Sequence, residues 1–96
     1  MRLVITRAAT RDLAEIEAFI ARDSASAAQR FVLKLLDACE GLVDQPRAYA
    51  EADVQNLRKR PFDDYLIFYR LSETVEIVRI LHAARDWVRL LDPATD

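Results

Sequence analysis

The 96-residue chain has one glycine, one cysteine, one histidine and one tryptophan, and its longest apolar run is only YLIFY, residues 65–69. Each scarcity removes a class of function. A phosphate-cradling P-loop or a dinucleotide-binding turn needs several glycines to bring backbone N–H groups close to phosphate, so Gly41 alone excludes both. Cys39 alone excludes an internal disulfide, and His82 alone excludes a His-rich zinc cluster. No metal site and no cofactor is therefore expected. No serine occupies a nucleophile-elbow setting, and Cys39 falls in a helical apolar pattern, where a small buried thiol is the usual occupant. An apolar run this short is far from a membrane span, and the start MRLVITR breaks to charge before a signal-peptide core forms. These features predict a cytoplasmic protein with no membrane partner.

What remains is the composition of an ordinary globular protein, 52% hydrophobic and 31% charged, at a length that suits one domain spanning residues 1–96. The formal net charge is −2, and neither half of the chain is strongly basic. A surface built to grip many phosphates would be basic, so the balance points to a protein partner rather than to direct nucleic-acid binding.

Residues 2–6 suit a short strand. From about residue 7 to 22, Ala9, Leu13, Ile16 and Ile20 recur at helical spacing, with Asp12, Glu15 and Glu17 placed near the start where they favour the macrodipole. The segment DSAS at 23–26 supplies N-cap candidates before a second helical pattern runs from Ala28 to Val43, closed by Pro46. Residues 45–53 read as a loop, and residues 54–60 as a strand carrying Arg58, Lys59 and Arg60, ended by Pro61 and the turn at Asp63 and Asp64. YLIFYRL (65–71) and VEIVRIL (75–81) are rich in β-branched and aromatic residues and are separated only by Ser72, Glu73 and Thr74, which predicts a hairpin. Asp86 is placed to cap one helical turn bearing Trp87, Leu90 and Leu91, stopped by Pro93.

A loop centred on Glu73 pairs Leu71 with Val75, Arg70 with Glu76, Tyr69 with Ile77, Phe68 with Val78, Ile67 with Arg79 and Leu66 with Ile80. That register makes Arg70 and Glu76 a cross-strand ion pair. Alternation then gives one face of Leu66, Phe68, Val78 and Ile80, and another of Tyr65, Ile67, Tyr69, Val75, Ile77, Arg79 and Leu81. Both are apolar, and two helices cover only one side of so small a sheet. The face of Tyr65, Ile67, Tyr69 and Ile77 is therefore expected to stay open as a docking surface.

Arg79 on that face either stacks its stem on Tyr69 and pairs with a carboxylate at the rim, or anchors a partner's carboxylate or phosphate. His82 reads as a strand-end imidazole bonded to backbone, or as a general base. Arg58, Lys59 and Arg60 form either a solvated edge that discourages sheet-to-sheet aggregation or a patch for an acidic peptide. Arg85 and Asp86 form a local pair, with Asp86 also a cap.

The order of strand, helical hairpin and antiparallel hairpin, with RAATRDLAEI, the Pro46 to Tyr49 loop, Leu57-Arg58, YLIFYR and EIVRILHAARD, resembles the RelE/ParE superfamily of toxins from type II toxin–antitoxin systems. The resemblance spans nearly the whole chain. It implies an α+β fold: an N-terminal strand, an α-helical hairpin, then a mainly antiparallel sheet of about three further strands. It also implies a cognate antitoxin that wraps the toxin in a hetero-oligomer, and this fits the open face and basic cluster, where Arg58, Lys59, Arg60, Tyr65, Ile67, Tyr69, Ile77, Arg79 and Trp87 are expected to contact antitoxin or target. Of the superfamily's two activities, poisoning of DNA gyrase in the ParE-like branch is favoured. RelE-like mRNA interferases resemble one another in a strongly basic character and an arginine early in the strand where this chain has Leu66. If the chain were such a ribosome-dependent endoribonuclease, Arg79, His82 and Arg85 are its candidate catalytic residues. A third reading is an attenuated module that only binds antitoxin.

Overall fold

The computed structural model of the chain describes residues 1–52 and 54–91. Among these the elements are β1 (Arg2–Ile5), α1 (Arg7–Ala21), α2 (Ala25–Asp44), β2 (Arg58–Phe62), β3 (Tyr65–Leu71), β4 (Thr74–His82) and α3 (Trp87–Leu91). The strands form one sheet in the order β1-β4-β3-β2, with β1 parallel to β4 and the other neighbours antiparallel. This is the expected α+β architecture. The expected loop reaches Asp53, and the stop at Pro93 falls beyond Leu91, so both positions lie outside the described residues.

Thr6 ends β1 and starts α1. Its side-chain oxygen accepts from the Ala9 amide at 3.1 Å and donates to the Val78 carbonyl at 3.0 Å, so one hydroxyl caps a helix and ties it to β4. Ser24, among the three cap candidates Asp23, Ser24 and Ser26, takes the equivalent role for α2 by accepting from the Ala27 amide. Asp86 accepts from the Arg89 amide at 3.4 Å at the start of α3. The acids of α1 do not occupy its first turn, and Asp12 is buried instead.

The strand expected over 54–60 is displaced. Gln55 and Asn56 have φ of 51° and 57°, a left-handed pair that turns the chain, and β2 starts only at Arg58. Pro61 lies within β2, which an edge strand tolerates because a missing N–H can face outward. Asp63, with φ of 52°, makes the tight return into β3.

The β3–β4 register follows expectation for Leu71↔Val75, Arg70↔Glu76 and Tyr69↔Ile77, then shifts by one residue. Beyond the shift Phe68 faces Arg79, Ile67 faces Ile80, Leu66 faces Leu81 and Tyr65 faces His82, which corrects the three remaining expected pairs. The irregularity sits where β4 loses its other neighbour. β1 pairs β4 only as far as Ile77, and Thr6 and Asp12 of the following segment then bond Val78 and Ile80 in its place. A bulged residue absorbs that change of partner.

The open-face expectation is overturned. Ile67, Tyr69 and Ile77 are 0% exposed and pack with Val75 and Ile80 under Ala9, Ile16, Leu35, Cys39 and Leu42 of the helices. The opposite face carries Phe68 and Leu81, with Leu66 and Val78 half-buried, beneath Ala52, Leu57, Trp87, Leu90 and Leu91. The physical reason lies in the charges. Arg70 and Glu76 form their ion pair at 2.9 Å with both side chains partly exposed, so their face must keep access to water and the helices take the other. Among the described residues no helix is long and apolar enough to cross a membrane.

Candidate functional site

Arg79 reaches α1 rather than a partner. Its Nε and Nη2 donate to the two carboxylate oxygens of Asp12 at 2.8 and 3.0 Å, and Asp12 Oδ2 also accepts from the Ile80 amide at 2.9 Å. A bidentate guanidinium–carboxylate pair is among the stronger protein contacts, and this carboxylate serves as a surrogate strand for the edge that β1 leaves bare. The expected stacking on Tyr69 gives way to this pair because Tyr69 is sealed in the helix-side core. Asp12 was readable as a dipole residue only. The signal missed is its place on the core-facing stripe Ala9, Asp12, Ile16, where an acid needs a partner.

The basic cluster divides by strand alternation. Arg58 Nη1 donates to the Tyr49 carbonyl at 2.8 Å, and Arg60 Nη1 donates to the Ala38 carbonyl of α2 at 2.6 Å with its guanidinium 5.0 Å over the Tyr49 ring. Tyr69 Oη donates to the Pro46 carbonyl at 2.7 Å, so three side chains of β2 and β3 pin the loop after α2. Burial pushes the Tyr69 phenol above its usual pKa, opposed in part by the Arg58 charge. The lone glycine belongs to this arrangement, since a Cβ on Gly41 would stand 3.2 Å from Arg60 Nη1. Lys59 alone turns to the other face, 4.9 Å from the centroid of the Trp87 ring, which in turn packs on Phe68 at 5.4 Å.

His82 and Arg85 share a groove with Asp12, Glu15, Phe19 and Tyr65, enclosing about 150 Å³ between α1 and the ends of β3 and β4. His82 Nδ1 accepts from the Ala84 amide at 3.1 Å, which places its ring proton on Nε2, and the ring stands edge-on to Tyr65 at 5.3 Å. Arg79 does not line this groove, whereas its carboxylate partner Asp12 does. Cys39 is fully buried, and burial pushes its thiol up to about 11. That removes it as a nucleophile.

The family model described as "ParE toxin of type II toxin-antitoxin system, parDE" matches residues 3–87, from β1 to the start of α3. The chain belongs to the ParE toxin family. A relative from Sinorhizobium fredii, named "Putative toxin Y4kP", is 34% identical over 92 residues, covering 94% of this chain and 96% of that protein. A solved chain described as "Chromosomal ParDE TA system from P. aeruginosa" superposes with a TM-score of 0.76 over 85% of this chain and 95% of its own, at 22% identity, a likeness of fold.

In this ParE-family toxin the surface left for a partner is therefore smaller than its sequence suggests. Of the anticipated contact residues, Ile67, Tyr69 and Ile77 are interior, and Arg58, Arg60 and Arg79 donate to groups of the chain itself. Lys59, Tyr65 and Trp87 keep part of their surface, beside half-buried Leu66 and Val78. The sheet face that α3 and Ala52, Val54 and Leu57 only partly cover is the one with apolar surface to spare.

Proposed function

We propose that this toxin acts by binding DNA gyrase in the cytoplasm and trapping a state in which cleaved DNA is not resealed, and that a cognate antitoxin neutralises it in a hetero-oligomer. The observation that carries this reading is membership of the ParE family. The bidentate Asp12–Arg79 pair fits it, because a guanidinium held by an internal carboxylate is withdrawn from the nuclease role, which leaves His82 and Arg85 as the candidates for that chemistry. A poison that works by binding requires complementary surface and no reacting group. The antitoxin would lie on the face of Leu66, Val78, Trp87 and Lys59, with an acidic residue opposite Lys59.

Purified toxin added to gyrase and relaxed plasmid should suppress supercoiling and accumulate cleaved-DNA complexes. Inertness at high concentration overturns the gyrase reading. The mRNA interferase alternative draws on the shared groove of His82 and Arg85. It requires cleavage on translating ribosomes that disappears in the His82→Ala and Arg85→Ala variants.

A further inference from the structure

The groove between α1 and the end of β4 takes no part in the gyrase reading, yet its chemistry is selective. Phe19, Tyr65 and His82 line it with Ile80, and Phe19 is 63% exposed. Tyr65 continues into a run of rings, 5.7 Å from Phe31, which stands 5.6 Å from Phe62. The charged groups are Glu15 and Arg85 in the lining and Asp63 and Asp64 beside Tyr65, while the carboxylate of Asp12 is engaged by Arg79. Burial, with the fields of Asp64 and Asp63 added to it, raises the Tyr65 phenol above its usual pKa. Among the described residues neither Glu15 nor Arg85 makes an ion pair.

We infer that this groove receives an arginine side chain of a partner protein, its guanidinium against the rings of Phe19 and Tyr65 and its donors toward Glu15. A planar guanidinium stacks on aromatic faces and presents a fork that matches a carboxylate, which a compact ammonium does less well. The chain already uses this contact on itself, with Arg22 5.9 Å over the Phe19 ring and Arg60 5.0 Å over Tyr49. Glu15 in the lining, with Asp63 and Asp64 next to Tyr65 outside it, disfavours an anionic occupant at that side. Arg85 stands ready for a main-chain carbonyl of the same incoming segment. The space corresponds to on the order of five waters, room for a guanidinium and part of its stem.

The inference is independent of the gyrase assay and is tested by NMR on the full labelled chain with N-acetyl-arginine-N-methylamide as the probe. Saturable shifts are expected at Phe19, Tyr65 and His82, about tenfold weaker in affinity for the isosteric citrulline compound and for the Glu15→Gln variant. Glu15 is exposed, so that variant should fold normally, and Tyr65→Leu, which keeps the groove apolar, should weaken binding likewise. Absence of shifts at these rings, or equal binding by citrulline or by Glu15→Gln, overturns the inference and leaves the toxin reading as it stands.

Discussion

Asp12 carries three hydrogen bonds on one carboxylate, from two donors of Arg79 and from the Ile80 amide. Asp12→Ala removes all three and should lower stability by about 3 kcal/mol in urea unfolding, because a guanidinium loses its bidentate partner and a buried amide its acceptor. Adding Arg79→Met to that variant should recover part of the loss, since the charge no longer needs compensation. Cys39 gives a second expectation at this scale. Below its ordinary pKa of 9.0 the thiol is neutral in both states, and between 9.0 and about 11 only the unfolded chain ionises. Stability supplied by the raised pKa is thus complete below pH 9.0 and fades as pH climbs toward 11, a fall of roughly 2–3 kcal/mol by linkage. Urea titrations over that window should show the decline, and Cys39→Ser should flatten its lower part, before the tyrosines ionise. Single residues were unevenly legible in the sequence. The scarcity of Gly and the helical setting of Cys39 could be read directly, whereas the identity of Arg79's partner could not, because Asp12 lies 67 positions away.

At the scale of elements, the helices were legible because their apolar spacing is regular, and β3 and β4 because their composition is so strongly that of strands. The Arg70–Glu76 pair also fixed the correct register near the turn. The bulge escaped the reading since nothing in VEIVRIL announces it; it arises from where β1 stops along β4. The choice of covered face escaped as well, because two apolar faces look alike until the charges of Arg70 and Glu76 are given their need for water. Gly41 in α2 shows an element adjusting to its neighbour. In isolation Gly41→Ala should gain about 1 kcal/mol of helix propensity, but here its Cβ presses on Arg60 Nη1. We expect little or no net stabilisation from Gly41→Ala in the native background and the full gain in an Arg60→Ala background, a coupling that a double-mutant cycle of unfolding free energies measures directly.

At the scale of the molecule, one sheet face is closed by the long helices and the other by lighter cover, α3 with Ala52, Val54 and Leu57. The Gln55 side-chain amide donates to the Leu91 carbonyl, and Lys59 over Trp87 completes that cover. The single tryptophan is therefore a reporter for the proposed antitoxin face, and its emission should change when antitoxin binds. Lys59→Glu should weaken antitoxin at least tenfold, since it reverses a rim charge, while stability stays within about 1 kcal/mol because the cation–π contact is partly exposed. Retained affinity in Lys59→Glu would move the antitoxin to another face without touching the gyrase test.

The strand order has a consequence for the cell that makes the protein. β1 is translated well before β4, the strand it lies beside, so its in-sheet neighbour does not exist until Ile77 has been made. At roughly 5–20 residues per second the nascent N-terminal half waits several seconds without a sheet to join. A message broken before β4 therefore yields a fragment whose β1 has no sheet to join, and the toxin fold can close only once β4 has been made.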